Sequence, residues 1–189
     1  MKRIIPLLSM VFAIVLTGCA TAVIHQAQVS SGLNLAAESG TIYVKDFDAS
    51  RAVFKGDYSD VAEKVAAQRA RLPGVITKEM IDYLAKNGRR AVRYDGGASS
   101  AGLIVDGVVT EVDAGSGAAR FWVGMGAGSS RVKANVRVYR TSNTSTPIAA
   151  LEIEGHSGGR GGLTGYADWI GTNSKDIALK VGKFLCGKK

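Results

Sequence analysis

Alternating apolar and polar residues predict five strands in this chain. Residues 131–140 alternate most regularly, and residues 148–156 repeat the pattern after a polar connection, so the two segments are expected to form an antiparallel hairpin. Residues 103–113 are apolar on both faces, which is typical of a central strand that is buried on both sides. Shorter apolar runs at 41–47 and 91–94 predict two further strands.

Apolar residues recur at helical spacing in three other segments. Residues 60–72 begin with a helix-capping residue, Asp60, and Pro73 is expected to end this helix. Residues 76–87 and 174–185 predict two more helices. The predicted order is therefore β-α-α-β-β-β-β-α, an α+β fold with a mixed, mainly antiparallel sheet and helices packed on one face.

The predicted hairpin carries a basic stripe on its polar face, formed by Arg131, Lys133 and Arg137. Directly paired residues share a face of the sheet. The outward residues are odd-numbered in 131–140 and even-numbered in 148–156, so the two residue numbers of each pair must sum to an odd value. This rule places Lys133 and Arg137 among Glu152 and Glu154. We therefore expect the stripe to be partly neutralised within the sheet.

The first residues are typical of a bacterial secretion signal. Two basic residues precede an apolar run at 4–16 that is too short to span a bilayer. The run ends in Leu16-Thr17-Gly18-Cys19, which resembles the bacterial lipoprotein signal, where the thiol is acylated and the chain is cut before it. The resemblance implies a signal peptide over residues 1–18 and a lipid on Cys19. The alternative is an ordinary signal peptide in which this Cys stands by chance.

Residues after Cys19 favour a tether and an outer-membrane location. Residues 19–40 show no sustained period and are expected to be a flexible tether, followed by a single α+β domain over 41–189. Residue 20 is Ala, whereas Asp at this place retains the lipoproteins that this chain resembles at the inner membrane. We therefore expect the protein on the periplasmic face of the outer membrane.

Charge and cysteine usage narrow the possible partners. The formal charge of +8 becomes +6 without the signal peptide, with 22 basic against 16 acidic residues. This charge favours lipid headgroups or acidic cell-wall polymers over nucleic acid in an envelope compartment. Cys186 remains without an intrachain partner, and a half-buried thiol is favoured over an intermolecular disulfide bridge.

Candidate catalytic motifs are incomplete. Gly155 to Gly159 match the G-x-S-x-G nucleophile elbow around Ser157, but the general base of that motif is a later His, and both His25 and His156 come earlier. Two distant histidines and one remaining Cys do not form a metal site, and we expect no cofactor. The chain is accordingly predicted not to be an enzyme.

Glycines and aromatic residues suggest a surface between the strands at 103–113 and 131–140. Gly124, Gly126 and Gly128 lack the remaining residues of a nucleotide-binding motif, so we interpret them as a structural turn. Arg120 and Trp122 directly precede this turn and could contact a sugar or a partner protein. Packing of the Trp in the core is an equally good alternative.

A family resemblance is carried by three segments. Residues 103–111, the Gly124-Met125-Gly126-Ala127-Gly128 turn after Arg120, and the alternating residues 132–138 resemble the bacterial lipoprotein family called domain of unknown function 4410. The resemblance covers roughly residues 41–185. It implies an envelope lipoprotein without an established reaction and transfers no catalytic residue.

These observations favour a lipid-anchored, non-enzymatic binding or adaptor domain. The partner is expected to be an envelope protein or a cell-wall polymer. The candidate contact residues are Arg120, Trp122, Arg131, Lys133 and Arg137. The alternative is a periplasmic binder of a glycan or small ligand, and a serine hydrolase is the third and weakest hypothesis.

Overall fold

Seven strands and two long helices make up the described part of the fold. The computed structural model describes residues 21–58, 61–116, 129–156 and 169–188. In chain order the elements are β1 (Thr21–Val29), β2 (Thr41–Val44), β3 (Val53–Lys55), a 3-10 turn (Gly56–Tyr58), α1 (Ala62–Lys86), β4 (Ala91–Arg93), β5 (Gly102–Asp113), β6 (Arg131–Arg140), β7 (Ala149–His156) and α2 (Trp169–Leu185). No helix in the described ranges is long and apolar enough to cross a membrane.

The strands form one sheet in the order β1-β7-β6-β5-β2-β4, with β3 beside the end of β5. The long pairs β1/β7, β7/β6 and β6/β5 are antiparallel, whereas β2 runs parallel to both β5 and β4. Both helices pack on one face, so the α+β class with a mixed, mainly antiparallel sheet is confirmed. The four apolar side chains of β6 are buried beneath them, as the alternating pattern predicts.

α1 is one helix of 25 residues rather than the two that the sequence predicts. Pro73 lies inside it, and the prediction that this residue ends a helix is wrong. Leu72 and Ile76 on either side of the proline are both buried against the sheet, with exposures of 1% and 0%. Their burial offsets the missing backbone hydrogen bond and the steric cost of a proline in a helix interior. Val61 stands at the N-cap without a side-chain hydrogen bond, and Asp60 lies outside the described residues.

β1 lies where the sequence favours a flexible tether. Thr21–Val29 pairs with almost the whole length of β7, so the expectation of a tether over 19–40 is wrong for these residues and the sheet begins well before residue 41. A bulge between Ile24 and Gln26 shifts the alternation by one residue. Residues on the two sides of the bulge therefore follow different parities, and the segment shows no continuous period of two.

The register of the β6/β7 hairpin agrees with the sequence prediction. Lys133 pairs with Glu154 and Arg137 with Ala150, and both pairs sum to the same odd number. The C-terminal end of α1 is also as predicted, because Gly88 adopts a left-handed φ of +74° there.

Candidate interaction surface on the open face of the sheet

The face of the sheet opposite the helices is called the open face here, and the polar side chains of the central strands point into it. Its strands, with Lys45 directly after β2, carry five basic and five acidic side chains. These are Lys45, Lys55, Arg131, Lys133, Arg137, Asp106, Glu111, Asp113, Glu152 and Glu154. The open face is therefore balanced in charge, although the chain as a whole is basic.

Lys133 lies at the centre of this face between two carboxylates. Its Nζ is 3.7 Å from Glu111 Oε1 on β5 and 3.7 Å from Glu154 Oε2 on β7. The strand register causes this contact, because Glu111 and Glu154 are the direct neighbours of Lys133 on the two adjacent strands. One cation therefore ties three strands together.

Glu154 is the most buried carboxylate of the open face, with 5% of its surface exposed. His25 Nε2 lies 3.3 Å from one of its oxygens and His156 Nε2 lies 3.1 Å from the other. A buried carboxylate needs such partners, because an unpaired charge there would be strongly destabilising. Across the described ranges no group of three or more His, Cys, Asp or Glu side chains is arranged to hold a metal ion.

The remaining charges at this end of the sheet are also paired. Lys55 Nζ donates a hydrogen bond of 2.5 Å to Glu111 Oε2, and this bond is the main reason why the pKa of Glu111 lies below its usual range. Arg131 Nε donates to Asp113 Oδ2 at 3.1 Å. The expected neutralisation of the basic stripe is thus present for Arg131 and Lys133.

Arg137 differs from Arg131 and Lys133, the other two residues of the basic stripe. It is exposed on the middle of β6, where its direct neighbours are Asp106 and Ala150. Asp106 instead pairs with Lys45 at 3.2 Å. Among the described residues Arg137 has no ion-pair partner, so it is the candidate cation that this face leaves available.

A pocket that the sequence did not indicate lies at the other end of the open face. The Lys45–Asp106 ion pair, Tyr94 and Tyr139 are among the residues that line it, and its volume is about 170 Å³. Lys45 Nζ also lies 5.5 Å from the centre of the Tyr94 ring. These residues come from four separate segments, so no spacing along the chain could have linked them.

Exposed valines are spread over the same face, from β1 at one edge of the sheet to β4 at the other. Val23, Val53, Val92 and Val108 are 38–54% exposed, and their strand partners place all four on the open face. They are four of the seven large apolar side chains that are exposed in the described part of the chain. The surface therefore combines apolar spots with paired charges.

Several predicted site residues lie outside the described residues. They are Cys19, Arg120, Trp122, Gly124, Gly126, Gly128 and Ser157. Gly155, the first residue of the elbow-like motif, packs against the helical layer, where an added Cβ would lie 2.4 Å from the carbonyl oxygen of Asn173. Close packing accounts for this glycine. Cys186 is a free, partly buried thiol that contacts the core.

The excess of positive charge lies in and beside the helices. Residues 61–90 and 169–189 contain 12 basic and 4 acidic residues, whereas the rest of the chain from residue 19 contains 10 basic and 12 acidic ones. The helical segments thus have a formal charge of +8 and the remainder −2. The basic stripe on the sheet was expected to be partly neutralised, and the structure pairs its Arg131 and Lys133 with carboxylates of the same sheet.

Comparison with known proteins identifies the family. The family described as domain of unknown function DUF4410 matches residues 42–161, well over half of the chain. The chain belongs to this family. Membership confirms the resemblance that the strand and glycine segments suggest. Among curated proteins no match to this DUF4410 protein is found.

Solved structures with similarity to the DUF4410 protein are distant. The PelC dodecamer from Paraburkholderia phytofirmans is 9% identical with a TM-score of 0.48, covering 89% of this chain and 99% of that one. A single-residue variant of the same dodecamer is 10% identical with a TM-score of 0.48, at coverages of 87% and 97%. An uncharacterized protein is 8% identical with a TM-score of 0.45, at coverages of 78% and 90%.

Proposed function

We propose that this DUF4410 protein is a lipid-anchored envelope protein whose open face binds a partner protein, without catalysing a reaction. The observation that carries this proposal is that four exposed valines and several paired charges share a sheet face that neither described helix covers. Non-obligate protein interfaces have this mixture of apolar and polar surface, with charges that set orientation and partner choice.

The charge balance of the open face favours a protein over an acidic polymer as its partner. Lys133 and Arg131 are occupied by carboxylates of the same sheet, so an anionic polymer would have to displace Glu111, Glu154 or Asp113. A protein surface can instead pack on the valines and place a single carboxylate opposite Arg137. Arg137 is therefore the residue that we expect to select the partner.

The anchor is proposed to lie on Cys19, with the protein on the periplasmic face of the outer membrane. Thr21 is the first residue of β1, and two residues of extended chain span about 7 Å. A lipid on Cys19 would therefore hold the end of the sheet where β1 begins next to the headgroups. The domain would not stand clear of the membrane on a long tether.

The anchor is tested by the intact mass of the membrane-extracted protein, together with a Cys19→Ser variant and separated inner and outer membranes. We expect a lipid-modified N-terminus at Cys19 in the outer-membrane fraction and an unmodified variant. An unmodified wild-type product would remove the lipoprotein part of the proposal. Lipid-modified protein in the inner-membrane fraction would contradict the location alone.

The interface is tested by site-specific photo-crosslinking in the native host. A photoreactive residue replaces Val108 on the open face or Leu179 on α2, which are matched in exposure at 40% and 37%. We expect a discrete crosslinked protein from position 108 only, and its loss when Arg137→Glu is added. Equal products from both positions, or none from position 108, would contradict the proposal. A product made only of two copies of this chain would identify self-association.

A second candidate function, binding of a glycan or small polar ligand, is favoured by the pocket between Tyr94 and Tyr139. Lys45 and Asp106, which line it, offer both a donor and an acceptor to a hydroxyl-bearing ring that stacks on tyrosine. The volume of about 170 Å³ is below the range of roughly 300–1,000 Å³ for ligand sites, so at most part of a ligand would fit. Calorimetric titration with cell-wall fragments, compared between wild type and Tyr139→Ala, tests it. Heats that are absent or unchanged in the variant would exclude this pocket.

A further inference from the structure

Both helices end at the same end of the molecule. They run parallel, because Lys175 of α2 contacts Glu79 of α1 at 3.2 Å and Lys188 contacts Asn87 at 2.5 Å. This end lies opposite the start of β1. Thr21, where β1 begins, pairs with His156 at one end of β7, and Val29, where β1 ends, pairs with Ala149 at the other end. The helices therefore end at the pole of the domain that lies opposite the start of β1.

Exposed basic side chains collect at this pole. Lys86 is the last residue of α1, Arg90 follows its C-cap, and Lys183 and Lys188 come from the last turn of α2 and just beyond it. We call these four residues the basic pole. All four are exposed, and Lys188 donates its hydrogen bond to a neutral amide rather than to a carboxylate.

Arg89 connects the end of α1 to the β1–β2 loop and to the end of α2. Its guanidinium donates to the carbonyl oxygens of Glu38 at 2.9 Å and Leu185 at 3.1 Å, and also reaches those of Leu35 and Ala36. These carbonyls belong to the β1–β2 loop and to the end of α2. The last turns of both helices are thereby fixed relative to each other, and the four exposed cations sit on a rigid support.

The charge of the basic pole is not cancelled by its described surroundings. Two carboxylates of the adjoining segments pair with cations outside the pole: Glu38 pairs with Arg140 at 2.5 Å and Asp82 with Lys78 at 2.6 Å, although Asp82 also attracts Lys86. Each helix C-terminus carries about half a negative charge, so the two together supply about −1. This partial negative charge is enough to offset the charge of Arg89 alone. About four positive charges remain to act on a ligand.

We propose that the basic pole binds a carboxylate-rich polymer of the cell wall. The orientation rests on the proposed function, because a lipid on Cys19 places the start of β1 at the membrane. α1, with its 25 residues, is about 37 Å long, so the pole would face away from the headgroups by several Debye lengths. Exposed cations at the ends of two helices suit a repeating polyanion, which is held by many weak charge contacts rather than by one shaped site.

The proposal is tested by co-sedimentation of the full-length protein with purified cell-wall sacculi in neutral detergent. The pole variant carries Lys86→Glu, Arg90→Glu and Lys183→Glu. The control variant carries Arg51→Glu, Lys64→Glu and Arg71→Glu, which change the net charge equally at exposed positions elsewhere. We expect the pole variant to bind about 100-fold more weakly, the control to stay within about two-fold of wild type, and salt to release wild type.

Three results would overturn the proposal. They are no sedimentation of the wild type, equal losses for the pole and control variants, and equally pole-dependent binding to mixed micelles that contain phosphatidylglycerol at the same charge concentration. The last result would assign the pole to lipid. Circular dichroism spectra that match wild type must accompany each variant. The outcome is independent of the anchor, because the mass of the N-terminus is read separately and sedimentation does not require a lipid on Cys19.

Discussion

Gly155 provides the sharpest test of how α2 packs on the sheet. It lies on β7 beneath α2, and a Cβ at this position would sit 2.4 Å from the carbonyl oxygen of Asn173 and 3.2 Å from a side-chain carbon of Ile177. The carbonyl belongs to the helix backbone and cannot rotate away, so Gly155→Ala must shift the helix. Overpacking of this kind costs about 1–3 kcal/mol.

Replacing glycine by alanine at Gly74 should have the opposite effect on stability. Gly74 is exposed within α1, its φ is not positive, and no atom lies within 4 Å of its hypothetical Cβ. Alanine there adds no contact, but it reduces the conformational freedom of the unfolded chain and favours the helix. We expect Gly74→Ala to stabilise the protein by about 0.5–1 kcal/mol.

Urea denaturation followed by circular dichroism measures both effects. At unchanged m values, the midpoint should fall for Gly155→Ala and rise for Gly74→Ala, which separates the variants by about 1.5–4 kcal/mol. Equivalent thermal midpoints should fall by about 2–12 °C for Gly155→Ala. If Gly155→Ala is as stable as wild type, α2 does not contact β7 as closely as the structure shows, and the reasoning fails.

Three further predictions concern stability. Arg89→Met removes four donated hydrogen bonds and should lower the free energy of unfolding, measured by urea denaturation, by at least about 2 kcal/mol. An unchanged free energy of unfolding would show that the bonds to the β1–β2 loop and to α2 are dispensable. Burial raises the pKa of Asp176 above 3.8, so the folded state binds more protons than the unfolded state, and the stability falls as the pH rises from 3.8 through the pKa of the folded state. Asp176→Asn should therefore raise Tm at pH 7 but not at pH 3. Equal shifts of Tm at both pH values would exclude titration of Asp176 as the cause. Ile76→Ala should cost about 2–5 kcal/mol, measured by the same denaturation, because its side chain is fully buried; a smaller loss would mean that α1 can collapse into the space.

Local sequence patterns were sufficient wherever one rule governed a segment. The alternation in β6 predicted which side chains are buried and set the odd-sum register that brings Lys133 to Glu154. Gly88 marked the end of α1 because only a left-handed residue continues the chain there. The pattern failed at Pro73, where burial against the sheet outweighed a local preference, and in β1, where a bulge shifts the alternation by one residue.

The candidate surface was only half visible in the sequence. Arg131, Lys133 and Arg137 were found because they share one strand, and every second residue of a strand faces the same way. The partners that neutralise the first two come from β5 and β7, and the pocket beside Tyr94 and Tyr139 joins segments far apart in the chain. No spacing rule connects such residues.

By itself, the sequence determined the α+β class, the hairpin register and the excess of positive charge, because these follow from composition and from periods of two and 3.6 residues. Only the tertiary structure decided where that charge lies. Pairing across strands cancels it for Arg131 and Lys133 on the sheet, whereas the parallel packing of α1 and α2 collects it where both helices end. Charges interact through space, so their effect depends on which segments the fold brings together.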